Sequence, residues 1–211
     1  SLESAELIKL MDNSYRDTVF AFSNQIAMIC EHLNLDAKEL IVAANTHYPR
    51  NNIPLPSPGV GGACLSKDPH ILCDLSLKKS YEAKLTKECR NINEEIPGYI
   101  VKRLKAKLKG LNKDIANSKI FIVGFAFKGN PETSDLRDST TLWFLDELKK
   151  CTKKENIFGF DPVINKEALA ELDINISDSI EDGCRNADVI LFMNNHRSYL
   201  NLDPYSICIS L

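Results

Sequence analysis

The sequence has no Cys-x-x-Cys pair. Its seven cysteines (Cys30, Cys64, Cys73, Cys89, Cys151, Cys184 and Cys208) are an odd number without metal-ligand spacing. That excludes a disulfide framework and a structural zinc site, and it fits reduced thiols in a cytoplasmic protein with no bound metal. There is no surplus of positive charge either. The net charge is −3 and the isoelectric point near 5.8, which argues against a nucleic-acid partner. No apolar run approaches the ~20 residues that span a bilayer, so no membrane association is expected. The start, SLESAELIKLMDN, is amphipathic and acidic and does not read as a signal peptide. Because the chain opens almost inside a helical pattern, a fragment boundary is expected there.

What is present is an ordinary globular balance over 211 residues, 44% hydrophobic and 26% charged. That length allows one large domain or two small ones. The chain is organised around GVGGACLSKDP, Gly59 to Pro69. Glycines let backbone amides approach a bound group closely and adopt positive φ. A cysteine held beside them can be a nucleophile, because the thiolate is the reactive form and nearby cations or a helix start favour it. Asp68-Pro69 reads as a helix start, with Asp68 as N-cap and proline at the first helical position. The helix dipole would then present its positive end to Cys64. On spacing alone a plainer reading is slightly favoured: a tight entry into a helix, beside a cysteine that is merely a small buried hydrophobe.

Upstream, Leu7, Ile8, Met11, Tyr15, Val19, Phe22, Ile26, Ile29 and Leu33 recur at helical spacing and predict one long helix from Ser4 to about His32. Lys9 and Asn13 lie four apart on one face. Taken singly, each is better read as part of a solvated stripe opposite the core. Asp36 to Glu39 has capping-box spacing and opens a second helix to about Ala44. The segment from Asn45 to Pro58 carries four prolines and must be loop. It holds His47, Tyr48 and Arg50, and loops of that length are more often functional than idle. A third helix follows from Pro69 to about Leu77. A Lys- and Glu-rich helical region then runs from Tyr81 to about Leu108, as two helices or one kinked at Pro97-Gly98. The stretch from Gly110 to Ser118 reads as a linker, which divides the chain into domains at 1–110 and 111–211.

The second part changes character. Lys119 to Gly124, Asn156 to Phe160 and Asp188 to Met193 read as strands, the first and last as apolar runs buried on both faces. Ile174 to Ile176 is a short candidate strand. Helices are expected from Ser139 to Lys150, Asn165 to Leu172 and Asp178 to Arg185. Strands alternating with helices imply βαβ units in a parallel sheet, with ligands beyond the carboxyl ends of the strands. The final run, Tyr205 to Leu211, ends abruptly, as if a strand were cut short. The lysines from Lys149 to Lys154 read as a solvated helix end. GFAFKGNPETSDLRDS has neither the G-x-x-x-x-G-K-[ST] nor the G-x-G-x-x-G order. It places Lys128 and Arg137 on the ligand edge, near a helix start. Arginine's fork suits a diphosphate, while Glu132, Asp135 and Asp138 are equally available as ion-pair partners.

Together these segments resemble the UDP-glucose/GDP-mannose dehydrogenase family, the NAD-dependent nucleotide-sugar 6-dehydrogenases. AELIKLMDNSY is similar to the family's catalytic-lysine helix, with Lys9 and Asn13 at its lysine and asparagine. GVGGACLSKDP resembles the nucleophile motif, with Cys64 at the cysteine and Asp68 at its partner aspartate. GFAFKGNPETSDLRDS is similar to the phenylalanine-lysine motif, through Phe127 and Lys128, and to the D-x-R beyond it, through Asp135 and Arg137. The DPV at Asp161 and ADVILFMNNH near His196 also fit. The match covers nearly the whole chain but only part of the family: the G-x-G-x-x-G domain and its catalytic glutamate are missing.

The resemblance implies an α/β protein, with an all-helical central dimerisation domain followed by a Rossmann-like parallel-sheet UDP-binding domain that is truncated at its end. It implies two hydride transfers to NAD at C6 of a UDP-sugar, with Cys64 capturing the aldehyde and a thioester hydrolysed to the uronate. Lys9 and Asn13 would stabilise the oxyanion, and Asp68 would orient Lys9 or activate water. Gly61, Phe127 and Lys128 would hold the substrate, and Lys67 and Arg137 the cofactor. Arg50 would reach the neighbouring subunit's site in a homodimer or higher oligomer. HYPRNNIPLPSPGVGG is most similar to family members acting on UDP-N-acetylmannosamine. UDP-N-acetylglucosamine, UDP-glucose and GDP-mannose stay open. The fragment alone should not turn over substrate. Two rival readings are a non-catalytic nucleotide-sugar-binding or dimerisation module and a cysteine acyltransferase that uses no nicotinamide.

Overall fold

A single helix, α1 (Leu2–His32), carries the first unit, with α2 (Ala37–Asn45) and α3 (Asp68–Leu77) packed against it. A computed structural model describes residues 2–185, 187–199 and 201–202. The face that α1 buries is not its apolar stripe. Leu10, Ala21 and Cys30 are buried together with Ser14, Asp17, Ser23 and Asn24. Leu7, Met11, Phe22, Ile29 and Leu33 are exposed, Ile8 at 54% and Tyr15 at 68%. The expected orientation is therefore reversed. A helix normally turns its apolar stripe inward. Here the inward side is polar because Ser23 and Asn24 bond to backbone outside regular structure and Asp17 bonds to buried polar side chains further along the chain.

That backbone is the proline-rich loop, residues 46–67. The Ser23 hydroxyl donates to Pro54 O at 2.6 Å, and Ser57 N–H donates to Asn24 Oδ1 at 2.9 Å. Asn45 closes the loop's first half by donating to Ile53 O and accepting from Ile53 N–H. A segment with four prolines cannot pair its own backbone in a ladder, so side chains of α1 and α2 satisfy it instead. At its end the chain turns at Gly59 (φ 104°) and Gly62 (φ 86°), conformations a side chain would resist.

The helix ends follow the sequence closely, with one correction. The Asp36 carboxylate caps α2 by accepting from Lys38 and Glu39 N–H. Asp68, expected as the N-cap of α3, is instead its first helical residue. The N-cap is Lys67, whose side chain makes no capping bond, and Asp68 turns its carboxylate elsewhere. The region after Tyr81 forms one helix, α4 (Lys84–Gly110), continuous through Pro97.

The first unit ends at Ile96 and the second begins at Pro97, inside α4 and earlier than the division at 110 expected from the linker. The reason is packing: Val101, Leu104 and Leu108 belong to the core of the second unit. That unit is a parallel sheet of β1 (Ile120–Val123), β2 (Ile157–Phe160), β3 (Asn175–Ile176) and β4 (Val189–Phe192), in the order β3-β2-β1-β4. Ile120 pairs with Ile157 on one side and Val189 on the other. Along β1, Ile120 and Ile122 enter one core with Phe144 and Leu148 of α5 (Thr140–Lys149), while Phe121 and Val123 enter another with Ile180 and Cys184 of α7 (Ile180–Cys184). β1 is thus buried on both faces, as expected, but β4 is only half-buried at the sheet's edge. A shorter helix, α6 (Lys166–Ala170), capped by Asn165, connects β2 to β3. The run from Tyr205 to Leu211 lies outside the described residues.

Asp161, at the end of β2, holds the carboxyl edge together. Its carboxylate accepts from Phe125 N–H (2.6 Å), Ala126 N–H (3.2 Å), Val163 N–H (2.9 Å) and Ile164 N–H (3.1 Å). Replacing it leaves buried amides without an acceptor. Asp161→Ala is expected to cost about 3 kcal/mol, read as a lower urea midpoint at unchanged slope; a loss below about 0.5 kcal/mol would make the carboxylate dispensable.

Candidate active site

In the first unit, the column that repeats every four residues along α1 meets the start of α3. Asn13 Nδ2 donates to Asp68 Oδ2 at 2.7 Å, and Lys9 Nζ stands 3.6 Å from the same oxygen. Asp68 is fully buried while the Lys9 side chain is 62% exposed. The other Asp68 oxygen, Oδ1, is buried with no donor among the described residues. The solvated-stripe reading of Asn13 therefore fails: it is partly buried and committed to a residue 55 positions away.

Cys64 sits one turn before Asp68, exposed, and its carbonyl accepts from Asp68 N–H at 2.9 Å. Ser66 N–H and hydroxyl both bond to Gly62 O, closing the turn. Gly61 is half-buried, and Lys67 and Arg50 are exposed. Lys9, Asn13, Asp68 and the Cys64 turn thus come together within one unit.

Beneath the turn lies a network that sequence reasoning missed. Arg90 of α4, 1% exposed, donates to Asp17 Oδ1 at 2.8 Å, to Leu65 O at 2.7 Å and to Val60 O at 3.0 Å. Asn93 Nδ2 donates to both Asp17 O and Asp17 Oδ1, and Asn24 Nδ2 donates to Asn93 Oδ1. Burial pushes the Asp17 carboxyl up, against the opposing pull of the Arg90 guanidinium and the Asn93 hydrogen bond. The signal was available: Arg90 and Asn93 are three apart, on a face that also buries Cys89 and Ile96. The surrounding lysines and glutamates masked it.

In the second unit the strand order β3-β2-β1-β4 switches between β1 and β4, and in open parallel sheets ligands bind beyond the carboxyl ends at such a point. The loop after β1 carries Phe127, Lys128 and Arg137, and Phe127 N–H donates to Asp135 O across it. The loop after β4 packs directly on it. Asn194 Nδ2 donates to Ala126 O, and a Cβ at Gly129 would lie 2.2 Å from His196 N. Ser198 N–H donates to His196 Nδ1, so the ring proton sits on Nε2, 3.0 Å from Glu132 Oε2. Lys128 is half-buried with Nζ 5.3 Å from the Phe127 ring centre, and no carboxylate among the described residues pairs with it. Arg137 is held by Asp135, with Nη2 to Oδ2 at 2.7 Å and Nε to Oδ1 at 3.0 Å. Of the two cations, the ion-pair reading holds for Arg137 and not for Lys128.

Comparison with known proteins agrees with this division. Residues 3–95 match the central-domain model of the UDP-glucose/GDP-mannose dehydrogenase family, and residues 121–209 match its UDP-binding domain. The chain is 34% identical over 196 residues to the UDP-N-acetyl-D-mannosamine dehydrogenase of Methanococcus vannielii, covering 93% of this chain and 42% of that protein. It is 35% identical to the Methanocaldococcus jannaschii protein of the same name, covering 97% and 43%. The solved UDP-D-ManNAc dehydrogenase structure from Pyrococcus horikoshii superposes with a TM-score of 0.84 at 31% identity, over 98% of this chain and 46% of that one. The chain spans less than half the length of these relatives.

The Asp135–Arg137 contact yields a titration. The side-chain hydrogen bonds of Arg137, then its amide, hold the Asp135 carboxyl down at about 2. A depressed carboxylate contributes fully above the ordinary aspartate value of about 3.9, and its contribution is lost as pH falls through its own lower midpoint. Carboxyl-carbon NMR is expected to show Asp135 titrating near 2, and to show Arg137→Gln returning it toward the ordinary range. A wild-type midpoint already in that range would dissolve the pair.

Proposed function

The chain belongs to the UDP-glucose/GDP-mannose dehydrogenase family. From that premise we propose that it supplies the thiol-bearing and nucleotide-binding parts of an NAD-dependent 6-dehydrogenase oxidising UDP-N-acetylmannosamine to the uronate. The observation that carries this reading is the cluster of Lys9, Asn13 and Asp68 beside the exposed Cys64, assembled from separate helices at the residues the family motifs designate.

The chemistry follows from the groups present. With NAD bound as hydride acceptor, oxidation of the C6 alcohol would give an aldehyde and release a proton. The Cys64 thiolate adds to that carbonyl carbon as a thiohemiacetal. Lys9 and Asn13 donate toward the oxygen that gains charge. A second oxidation, by a second NAD, would leave a thioester on Cys64, and water would release the uronate and return the thiol. Asp68 orients Lys9 and Asn13 through Oδ2, and its unpartnered Oδ1 is the acceptor suited to align the water.

Lys128, without an ion pair among the described residues and beside Phe127, is suited to the nucleotide sugar. NAD supplies the hydride acceptor. Among this chain's residues, exposed Arg137 fits its pyrophosphate by exchanging Asp135 for phosphate oxygens, since an exposed pair is weak. The exposed apolar side of α1, from Leu7 to Leu33, supports a homodimer or higher homo-oligomer built on that helix, with exposed Arg50 available to reach a neighbouring site.

The test joins this chain to the dinucleotide-binding domain of a family relative and supplies NAD with a panel of nucleotide sugars. UDP-N-acetylmannosamine is expected to give two NADH per sugar, ahead of UDP-N-acetylglucosamine, UDP-glucose and GDP-mannose. Cys64→Ser should form no uronate, and normal uronate formation by that variant would sink the thioester route. Sugar binding without uronate from the parent protein would favour the non-catalytic module. In calorimetry on this chain alone, Lys128→Ala is expected to weaken UDP-sugar binding about tenfold; unchanged affinity removes Lys128 from the site.

A further inference from the structure

The Cys64 turn makes few contacts of its own, yet both of its ends rest on one buried cation. Arg90 donates to Val60 O, just before the glycines, and to Leu65 O, just after the cysteine. The same guanidinium is fixed to Asp17 Oδ1. Asp17 stands four residues beyond Asn13 and eight beyond Lys9, on the side of α1 that carries both. On the third side, Arg90 Nε lies 3.3 Å from Glu94 Oε1, which also meets His70 Nε2 at 2.8 Å, two residues past Asp68. One planar group thus references the cysteine turn to the helix that bears Lys9 and Asn13 and to the helix that begins at Asp68.

We propose that Arg90, locked to Asp17, is a positioning residue for Cys64: it clamps the Val60 and Leu65 carbonyls and so sets the thiol's turn against the Lys9–Asn13–Asp68 cluster. The inference rests on the reading of that cluster as the thiol's catalytic surroundings. Arg90 touches neither substrate nor cofactor in this role. Its fork geometry is what matters, because a lysine ammonium is a point charge and cannot hold two carbonyls and a carboxylate in one plane.

The test is Arg90→Lys, which keeps the buried charge. In this chain, alkylation of Cys64 by iodoacetamide is followed by peptide mass, each cysteine separately, alongside hydrogen exchange and thermal unfolding. With the dinucleotide-binding domain joined, kcat and KM are measured. The expected result is a folded variant in which exchange rises at residues 60–67 and not along α1, and Cys64 alkylation falls about threefold or more. The kcat falls about tenfold or more, while KM for the sugar changes less than about threefold. A folded variant whose alkylation rate and kcat stay within about twofold of the parent overturns the proposal and leaves Arg90 a fold-stabilising group. If Arg90→Lys does not fold, Asp17→Asn carries the same readouts, since it neutralises the counter-ion and keeps an acceptor. Absence of turnover in the parent protein counts against the dehydrogenase reading; the alkylation and exchange arms still decide the positioning.

Discussion

A guanidinium without water depends on the groups around it. Arg90 is hydrogen-bonded at three of them, Asp17, Leu65 and Val60, while its Nε makes no hydrogen bond among the described residues and has Glu94 only in ion-pair range. Moving such an ion out of water costs several kcal/mol unless charge and hydrogen bonds replace the solvent. Asp17 supplies the charge; Val60 and Leu65 supply carbonyls; Glu94 lies beside the remaining nitrogen. None of these residues can be placed independently. The loop must fold back across α1 before Arg90 is satisfied, and α4 must lie against both. Asn93 and Asn24 extend the same constraint until it reaches Ser57, a residue of the proline-rich loop. The buried pair adds little net stability by itself, but removing one partner leaves the other charged and dry.

This constraint explains where the sequence could be read and where it could not. Cys64 and Asp68 were legible through the resemblance of their motif to the family's, since on spacing alone a tight helix entry explains the same glycines and aspartate. The spacing could assign α1, α2 and their limits, since helical periodicity and an Asp36 cap are local signals. The face of α1 was beyond it. Periodicity reports that a helix has two unlike sides and says nothing about which one meets the rest of the chain. Asp17, Ser23 and Asn24 face inward because their partners are backbone groups of a distant loop and side chains of α4, pairings that only the tertiary structure creates. Asp68 was misassigned for a related reason. An aspartate before a proline caps a helix when nothing better is offered, and here Asn13 and Lys9 offer more.

The second unit was more legible because its signals are simpler. Ile120 to Val123 is apolar at every position, which a strand buried on both faces requires. The alternation with helices then leaves little choice but a parallel sheet. What the pattern did not give is the part played by its polar residues. Asp161 reads as a ligand-edge residue and is occupied with four amides. His196 is spent on Glu132 and Ser198, joining the loops after β4 and β1. Lys128 is distinguished by what it lacks: no carboxylate among the described residues pairs with it, on a loop otherwise stitched down.

The reversed polarity of α1 links the two roles assigned to this unit. A helix with polar chemistry inward turns Ile8, Met11, Tyr15 and Phe22 outward, the apolar side on which the proposed oligomer would be built. Covering that surface is favoured by roughly 25 cal/mol for each square ångström removed from water. Lys9 lies next to Ile8, and Asn13 lies between Met11 and Tyr15. Whatever packs on the outer side therefore holds the same backbone turns that carry the inner column. The inner column cannot shift alone, because Asp17 is fixed to Arg90 and Asn13 to Asp68. In the proposed oligomer, association along α1 and alignment of the thiol's surroundings would be mechanically one problem, solved on opposite sides of a single helix.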